Sequence, residues 1–254
     1  HLAEDSTFQQ RFRRESQAAA GLNDPHVVPI HGDGEIDGLL YLDMRLIEGQ
    51  NLGTMLEDAE KPLGPEFAVK VVEQVAAALD AAHEAGLIHR DVKPSNILIT
   101  AKDFVYLIDF GLARTAGEKG LTTAGNTLGT LAYMAPERFE GGHVDPRSDI
   151  YALTCVLYET LTGTRPYPAD SLEQQIAGHM TKDVPRPSAV NPKLAAFALS
   201  CALAGLDMPL LDDATRTKID AYLPPYGCSQ NPVDVTAQAI HERGYAEFAR
   251  LAAE

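Results

Sequence analysis

The sequence predicts an α+β fold, and three observations point to it. Strand-like runs are short and precede Asp109, helical periodicity dominates the chain beyond that residue, and no strand–helix–strand unit repeats along its length. The first element is a helix over residues 5–20, which Asp5 or Ser6 can cap. Phe8, Phe12 and Ala19 form its apolar stripe and Gly21 stops it. Val27–Ile30 and Leu39–Leu42 come next as short strands joined through the turn-rich segment HGDGEIDG.

Pro65 stands where a helix accepts proline, in its first turn, and Val71, Val72, Val75, Leu79 and Ala82 recur at helical spacing up to Gly86. Ile97–Ile99 and Phe104–Ile108 read as two more strands around a turn at Lys102-Asp103. A mostly apolar helix is predicted from about Asp149 to Leu161, ended by Gly163. The stretch VPRPSAVNP reads as an extended connector, because proline fixes its own φ and disfavours helix in the residue before it. A domain boundary is placed there, giving segments 1–192 and 193–254, the second with helices over 194–204, 212–222 and 238–252.

With 254 residues, 45% of them hydrophobic and 22% charged, the chain can bury one large core or two small ones. A net charge of −15 disfavours nonspecific binding to nucleic acid. Three cysteines without CxxC spacing argue against a disulfide framework or a zinc site and fit a reducing cytoplasm. The longest uncharged apolar run, Leu194–Leu206, is short of the roughly 20 residues a membrane span needs. No cationic, apolar leader opens the sequence, and a first residue of His1 predicts a trimmed or processed chain.

Phosphoryl transfer asks a protein for three things: a carboxylate that orients the attacking hydroxyl, a cation beside the γ-phosphate, and oxygen ligands for a divalent ion. The eight residues His89-Arg90-Asp91-Val92-Lys93-Pro94-Ser95-Asn96 hold all three types in a loop between the helix ending at Gly86 and the Ile97–Ile99 strand. Asp109-Phe110-Gly111 begins eighteen residues after Asp91, at the end of an apolar strand, where a carboxylate followed by glycine can face a metal. Charged and polar residues beside apolar strands are retained mainly where chemistry uses them. His89 fits a packed, hydrogen-bonded core histidine better than an acid or base, and Glu137 and Asp149 fit structural roles better than substrate contacts.

The ordered set HRDVKPSN, DFG and Ala135-Pro136-Glu137, followed by an apolar helix carrying Asp149, resembles the protein-kinase family, most closely the actinobacterial receptor-type serine/threonine kinases. The resemblance covers about residues 1–192 and implies a kinase-like fold with a mainly helical C-lobe and a partial N-lobe. It implies transfer of the ATP γ-phosphate to Ser/Thr hydroxyls of protein substrates, with Mg²⁺ or Mn²⁺. Asp91 would be the base, Lys93 the cation on the γ-phosphate, and Asn96 and Asp109 the metal ligands. Arg90 would pair with a phosphothreonine, and Thr130 would position Asp91 and Lys93. On the nucleotide side Met44 matches the gatekeeper, the backbone of Arg45 and Ile47 would meet adenine, Leu98 would lie beneath it, and Asn51 would reach the ribose. Glu15 matches the helix glutamate that pairs with a strand lysine. Thr122, Thr123 and Thr127 lie where a second copy of the chain would phosphorylate in trans, and the receptor-type likeness leaves room for a membrane anchor in a full-length protein.

Two departures accompany the resemblance. No glycine-rich loop and no strand lysine precede Glu15, which predicts poor phosphoryl transfer by these 254 residues alone and keeps a catalytically silent kinase-like module as the alternative. After Pro192 the sequence resembles a connecting segment of ADP-forming acyl-CoA synthetases, around Asn231-Pro232-Val233-Asp234, so an accessory part of such a protein is a further alternative.

Overall fold

The computed structural model describes residues 6–110, 127–142 and 144–194. Helix α1 spans Ser6–Ala20. Phe12, Glu15, Ser16 and Ala19 are buried on it, one stripe at helical spacing. The Gly21 N–H closes its end on the Gln17 carbonyl at 3.1 Å. Asp5 and the Phe8 side chain lie outside the described residues.

Strands β1 (Ile30–Ile36) and β2 (Leu39–Met44) form an antiparallel hairpin. This corrects the expectation that HGDGEIDG is one long turn. The turn is only Asp37-Gly38, with φ of 51° and 78°, a two-residue left-handed pair whose twist matches that of the flanking strands. Cross-strand pairing overrides the weak strand preference of Gly32 and Gly34. Val27, expected in the first strand, instead makes a parallel bridge to Leu107, and the Leu107 N–H donates to the His26 carbonyl at 2.7 Å.

Gln50–Asn51 (β3), Ile97–Ile99 (β4) and Val105–Leu107 (β5) form an antiparallel sheet in the order β3-β4-β5. Asn51 faces Leu98 in the register, and its side chain caps helix α2 (Leu52–Asp58), an element absent from the sequence reading. Helix α3 (Pro65–Glu84) has proline at its first position and buries Val71, Val75, Leu79 and Ala82. The chain leaves it through Gly86 at φ 73°.

The remainder is helical: α4 (Thr127–Leu131), α5 (Pro136–Phe139), α6 (Pro146–Thr162), α7 (Leu172–Thr181) and α8 (Pro187–Val190). Helix α6 starts three residues before the predicted Asp149, because Asp145 caps it and Pro146 takes the first position. Gly163, at φ 74°, ends it as expected. The connector VPRPSAVNP is not wholly extended. Pro187 is compatible with a first helical position, and one turn forms there. Leu194, where the described chain ends, is 1% exposed and packs with Ala68 of α3 and Leu161 of α6. The predicted helices beyond it fall outside the described residues.

Candidate active site

The loop after α3 is pinned from below by α6. Asp149, 1% exposed, accepts the His89 N–H at 2.8 Å on Oδ2 and the Arg90 N–H at 2.7 Å on Oδ1. His83, at the end of α3, bonds the same Oδ2 at 2.8 Å. His89 is fully buried, and burial drives its pKa below the usual value, which keeps the ring neutral. Its partners set the tautomer. Nε2–H donates to the Ile108 carbonyl at 2.9 Å, and Nδ1 accepts the Asp91 N–H at 3.2 Å. His89 is the packed core histidine the sequence suggested.

On this base the polar groups come together. Lys93 Nζ donates to Asp91 Oδ2 at 2.8 Å and to Thr130 Oγ1 at 3.2 Å. Asn96 Nδ2 donates to the Asp91 carbonyl at 2.8 Å and to Asp91 Oδ2 at 3.3 Å. The Ile108 N–H donates to the Asn96 carbonyl at 3.0 Å, which brings the chain at Asp109 alongside Asn96. Asp109 is exposed at φ 57°, whereas Phe110 is buried with its ring centroid 4.7 Å from that of His89.

The donor set suits a hard cation. Both Asn96 amide bonds are made by nitrogen, which leaves Oδ1 as the ligand candidate, and Asp109 adds an exposed carboxylate. Two oxygen ligands, with the remaining positions left to water and phosphate oxygens, would match the habit of Mg²⁺ or Mn²⁺ at phosphate sites.

The nucleotide-side candidates lie at the end of β2, along the chain that follows it into β3, and on β4. Met44 ends β2 and is exposed, and the Arg45 N–H is engaged by the Pro29 carbonyl at 2.9 Å. That bond limits Arg45 to offering its own carbonyl. Ile47 is half-buried two residues further on. Asn51 and Leu98 meet as a cross-strand pair, with Leu98 half-buried between buried Ile97 and Ile99. Asn51 Oδ1 is occupied by the Thr54 N–H at 2.9 Å, so only its amide nitrogen suits a sugar hydroxyl. Glu15 reaches the loop that carries Asp91, with Oε1 3.7 Å from Arg90 Nη1.

Sequence reasoning missed two residues here. His83 sits in the last turn of α3 and reads as an ordinary helix-end histidine. Arg138, directly after Ala135-Pro136-Glu137, donates from Nη1 to the Arg90 carbonyl at 2.6 Å. Its position next to that motif was the available signal. Thr127 begins α4, while Thr122 and Thr123 lie outside the described residues.

An ordered HRD-to-APE set lies on a mixed hairpin-and-helix scaffold, and the chain belongs to the protein kinase domain family, whose model matches residues 2–204. Serine/threonine-protein kinase PknE of Mycobacterium tuberculosis is 56% identical over 191 residues, 75% of this chain and 33% of the relative. PknD of the same organism is 51% identical over 202 residues, 80% and 30% of the two chains. The crystal structure of the M. tuberculosis PknI kinase domain matches with a TM-score of 0.62 at 32% identity, covering 87% of this chain and 79% of that one. This chain therefore spans about a third of the length of the curated relatives it matches. The relatives favour a serine/threonine kinase over a silent module, and they lend the synthetase likeness of the tail no support. Among the described residues no helix is long and apolar enough to cross a membrane.

Proposed function

We propose that this chain carries the catalytic centre of a serine/threonine protein kinase, moving the γ-phosphoryl group of ATP to a Ser or Thr hydroxyl of a protein. The observation that carries the reading is the Lys93 ammonium bridging Asp91 and Thr130, with Asn96 on the same carboxylate. Asp91 orients the acceptor hydroxyl and takes its proton as the new oxygen–phosphorus bond forms. The bond from the γ-phosphorus to the bridging oxygen breaks, and ADP leaves with that electron pair. Lys93 neutralises charge on the moving group, and Thr130 fixes both Lys93 and, through it, Asp91. Asn96 and Asp109 would hold Mg²⁺ or Mn²⁺, which supplies charge neutralisation on the phosphate oxygens when bound.

Met44, Arg45, Ile47, Asn51 and Leu98 line the nucleotide side in this reading, and Glu15 and Arg90 tie α1 to the loop that carries the base. We keep residues 1–192 as the kinase unit and 193–254 as a separate tail. Thr122, Thr123 and Thr127 are the sites that a second copy would phosphorylate, on the cytoplasmic side.

The test is transfer of label from γ-labelled ATP, with Mg²⁺, to a protein acceptor, followed by phosphoamino-acid analysis. The expected result is slow phosphoserine and phosphothreonine formation that disappears in Asp91→Asn. Transfer that persists in Asp91→Asn, or no transfer at all, would overturn the reading.

A further inference from the structure

Two adjacent residues of α5 and two adjacent residues of α6 close a hydrogen-bonded ring around Arg90. Glu137 Oε1 accepts the Ser148 hydroxyl at 2.5 Å. Asp149, the next residue, accepts the Arg90 N–H at 2.7 Å. The Arg90 carbonyl then accepts from Arg138 Nη1 at 2.6 Å, and Arg138 is the neighbour of Glu137. The guanidinium of Arg90 itself points elsewhere, toward Glu15 at 3.7 Å, so the two arginines do not compete for one acceptor.

The last bond of the ring falls on the peptide unit that leads into Asp91. That unit consists of the Arg90 carbonyl and the Asp91 N–H. Its carbonyl is held by Arg138 and its N–H by His89 Nδ1 at 3.2 Å. Arg90 sits at φ 66°, a left-handed conformation that a residue with a side chain adopts only when its surroundings impose it. Rotation of the next peptide unit is the natural relaxation of such a residue, and it would swing the Asp91 carboxylate away from Lys93.

We propose that Arg138 is a positioning residue for Asp91, acting through the Arg90 carbonyl, so that α5 and the catalytic loop are set as one unit. The inference rests on the kinase reading for its effect on rate, but not for its effect on the loop. A charge-assisted hydrogen bond to a half-buried carbonyl is among the stronger kinds, and an apolar replacement leaves that carbonyl without its donor.

The experiment compares Arg138→Met, Arg138→Gln and Arg138→Lys in the 254-residue chain by steady-state kinetics and amide hydrogen exchange. Arg138→Met is expected to lower kcat about tenfold while the KM values for ATP and acceptor peptide stay within about twofold. Arg138→Lys, which keeps a charged donor, is expected to recover most of the loss. Peptides covering 89–92 should exchange about tenfold faster in Arg138→Met, with those from α6 unchanged. Unchanged kcat and unchanged exchange at 89–92 would overturn the proposal. So would a rate loss with equal loosening of α6, since that is simple destabilisation. Should Arg138→Met fail to fold, Arg138→Gln carries the same comparison. If the wild-type chain shows no Asp91-dependent transfer, the kinase reading fails, and the exchange at 89–92 alone decides this one.

Discussion

Lys93 Nζ and Thr130 Oγ1 meet at 3.2 Å, joining the loop that carries Asp91 to the short helix α4. Because the same nitrogen lies 2.8 Å from Asp91 Oδ2, the threonine hydroxyl fixes the ammonium and the ammonium fixes the carboxylate. Rate should therefore depend on a hydroxyl that touches neither reactant. Thr130→Ala is expected to lower kcat about tenfold, and Thr130→Ser to retain most of it. Steady-state kinetics of the two variants checks this, and equal rates for the two would refute it.

Asp149 presents a second expected outcome. Its carboxylate is 1% exposed and serves the His89 and Arg90 N–H groups and His83. Asp149→Asn puts an amide nitrogen against one of those donors, so a buried acceptor is lost and a donor is left facing a donor. A loss of about 3 kcal/mol or more in unfolding free energy is expected. His83→Leu removes one donor of three and should cost about 1–2 kcal/mol. Denaturant titration of both variants ranks them, and the reverse order would contradict this account.

The long helices were legible because their limits are written in local chemistry. Pro65 and Gly86 bound α3 by fixing φ at one end and supplying a left-handed residue at the other. Asp91, Lys93 and Asn96 stood out as costly polar groups at fixed spacing, and the fold brings those three together. The hairpin was misjudged because its strand holds Gly32 and Gly34, whose preference is set by the partner strand rather than by their own sequence. Arg138 and His83 were invisible for a different reason. Their partners, the Arg90 carbonyl and Asp149, lie 48 and 66 residues away, and only the fold brings them together.

Gly49 offers a third check, on the nucleotide side. A Cβ there would stand 2.5 Å from the Ile99 carbonyl oxygen and 3.0 Å from its carbon, both backbone atoms of β4 that cannot swing aside. Gly49→Ala should push β3 from β4 and disturb the Asn51–Leu98 pair next to it. The expected cost is about 1–3 kcal/mol, typical of inserting a methyl into a full space. The KM for ATP should rise more than kcat falls. A variant with wild-type stability and KM would show that the β3–β4 contact tolerates the added group.

The last expectation concerns pH and the cluster formed by Tyr133, Glu159 and Arg165. Burial raises the Glu159 pKa above its ordinary 4.5. The Tyr133 hydroxyl, which donates to Glu159, and Arg165, with Nε 3.7 Å away, work against that shift without cancelling it, and nearby Glu57 adds to it. Burial, and then the Glu159 charge, push the Tyr133 phenol upward too, so the tyrosine remains a donor at every ordinary pH. A carboxyl whose folded pKa exceeds its unfolded value binds its proton more tightly in the folded state. Its contribution is full below the unfolded pKa and is lost as pH rises through the folded one. Glu159→Gln removes this titration and leaves the other groups in place. The stability of wild type relative to Glu159→Gln should therefore be greatest at pH below the ordinary carboxylate value of 4.5 and should decline as pH climbs above it. Thermal melts of both proteins across that range provide the measurement. A difference that grows in favour of wild type with rising pH would mean that the Arg165 and Tyr133 contacts outweigh burial.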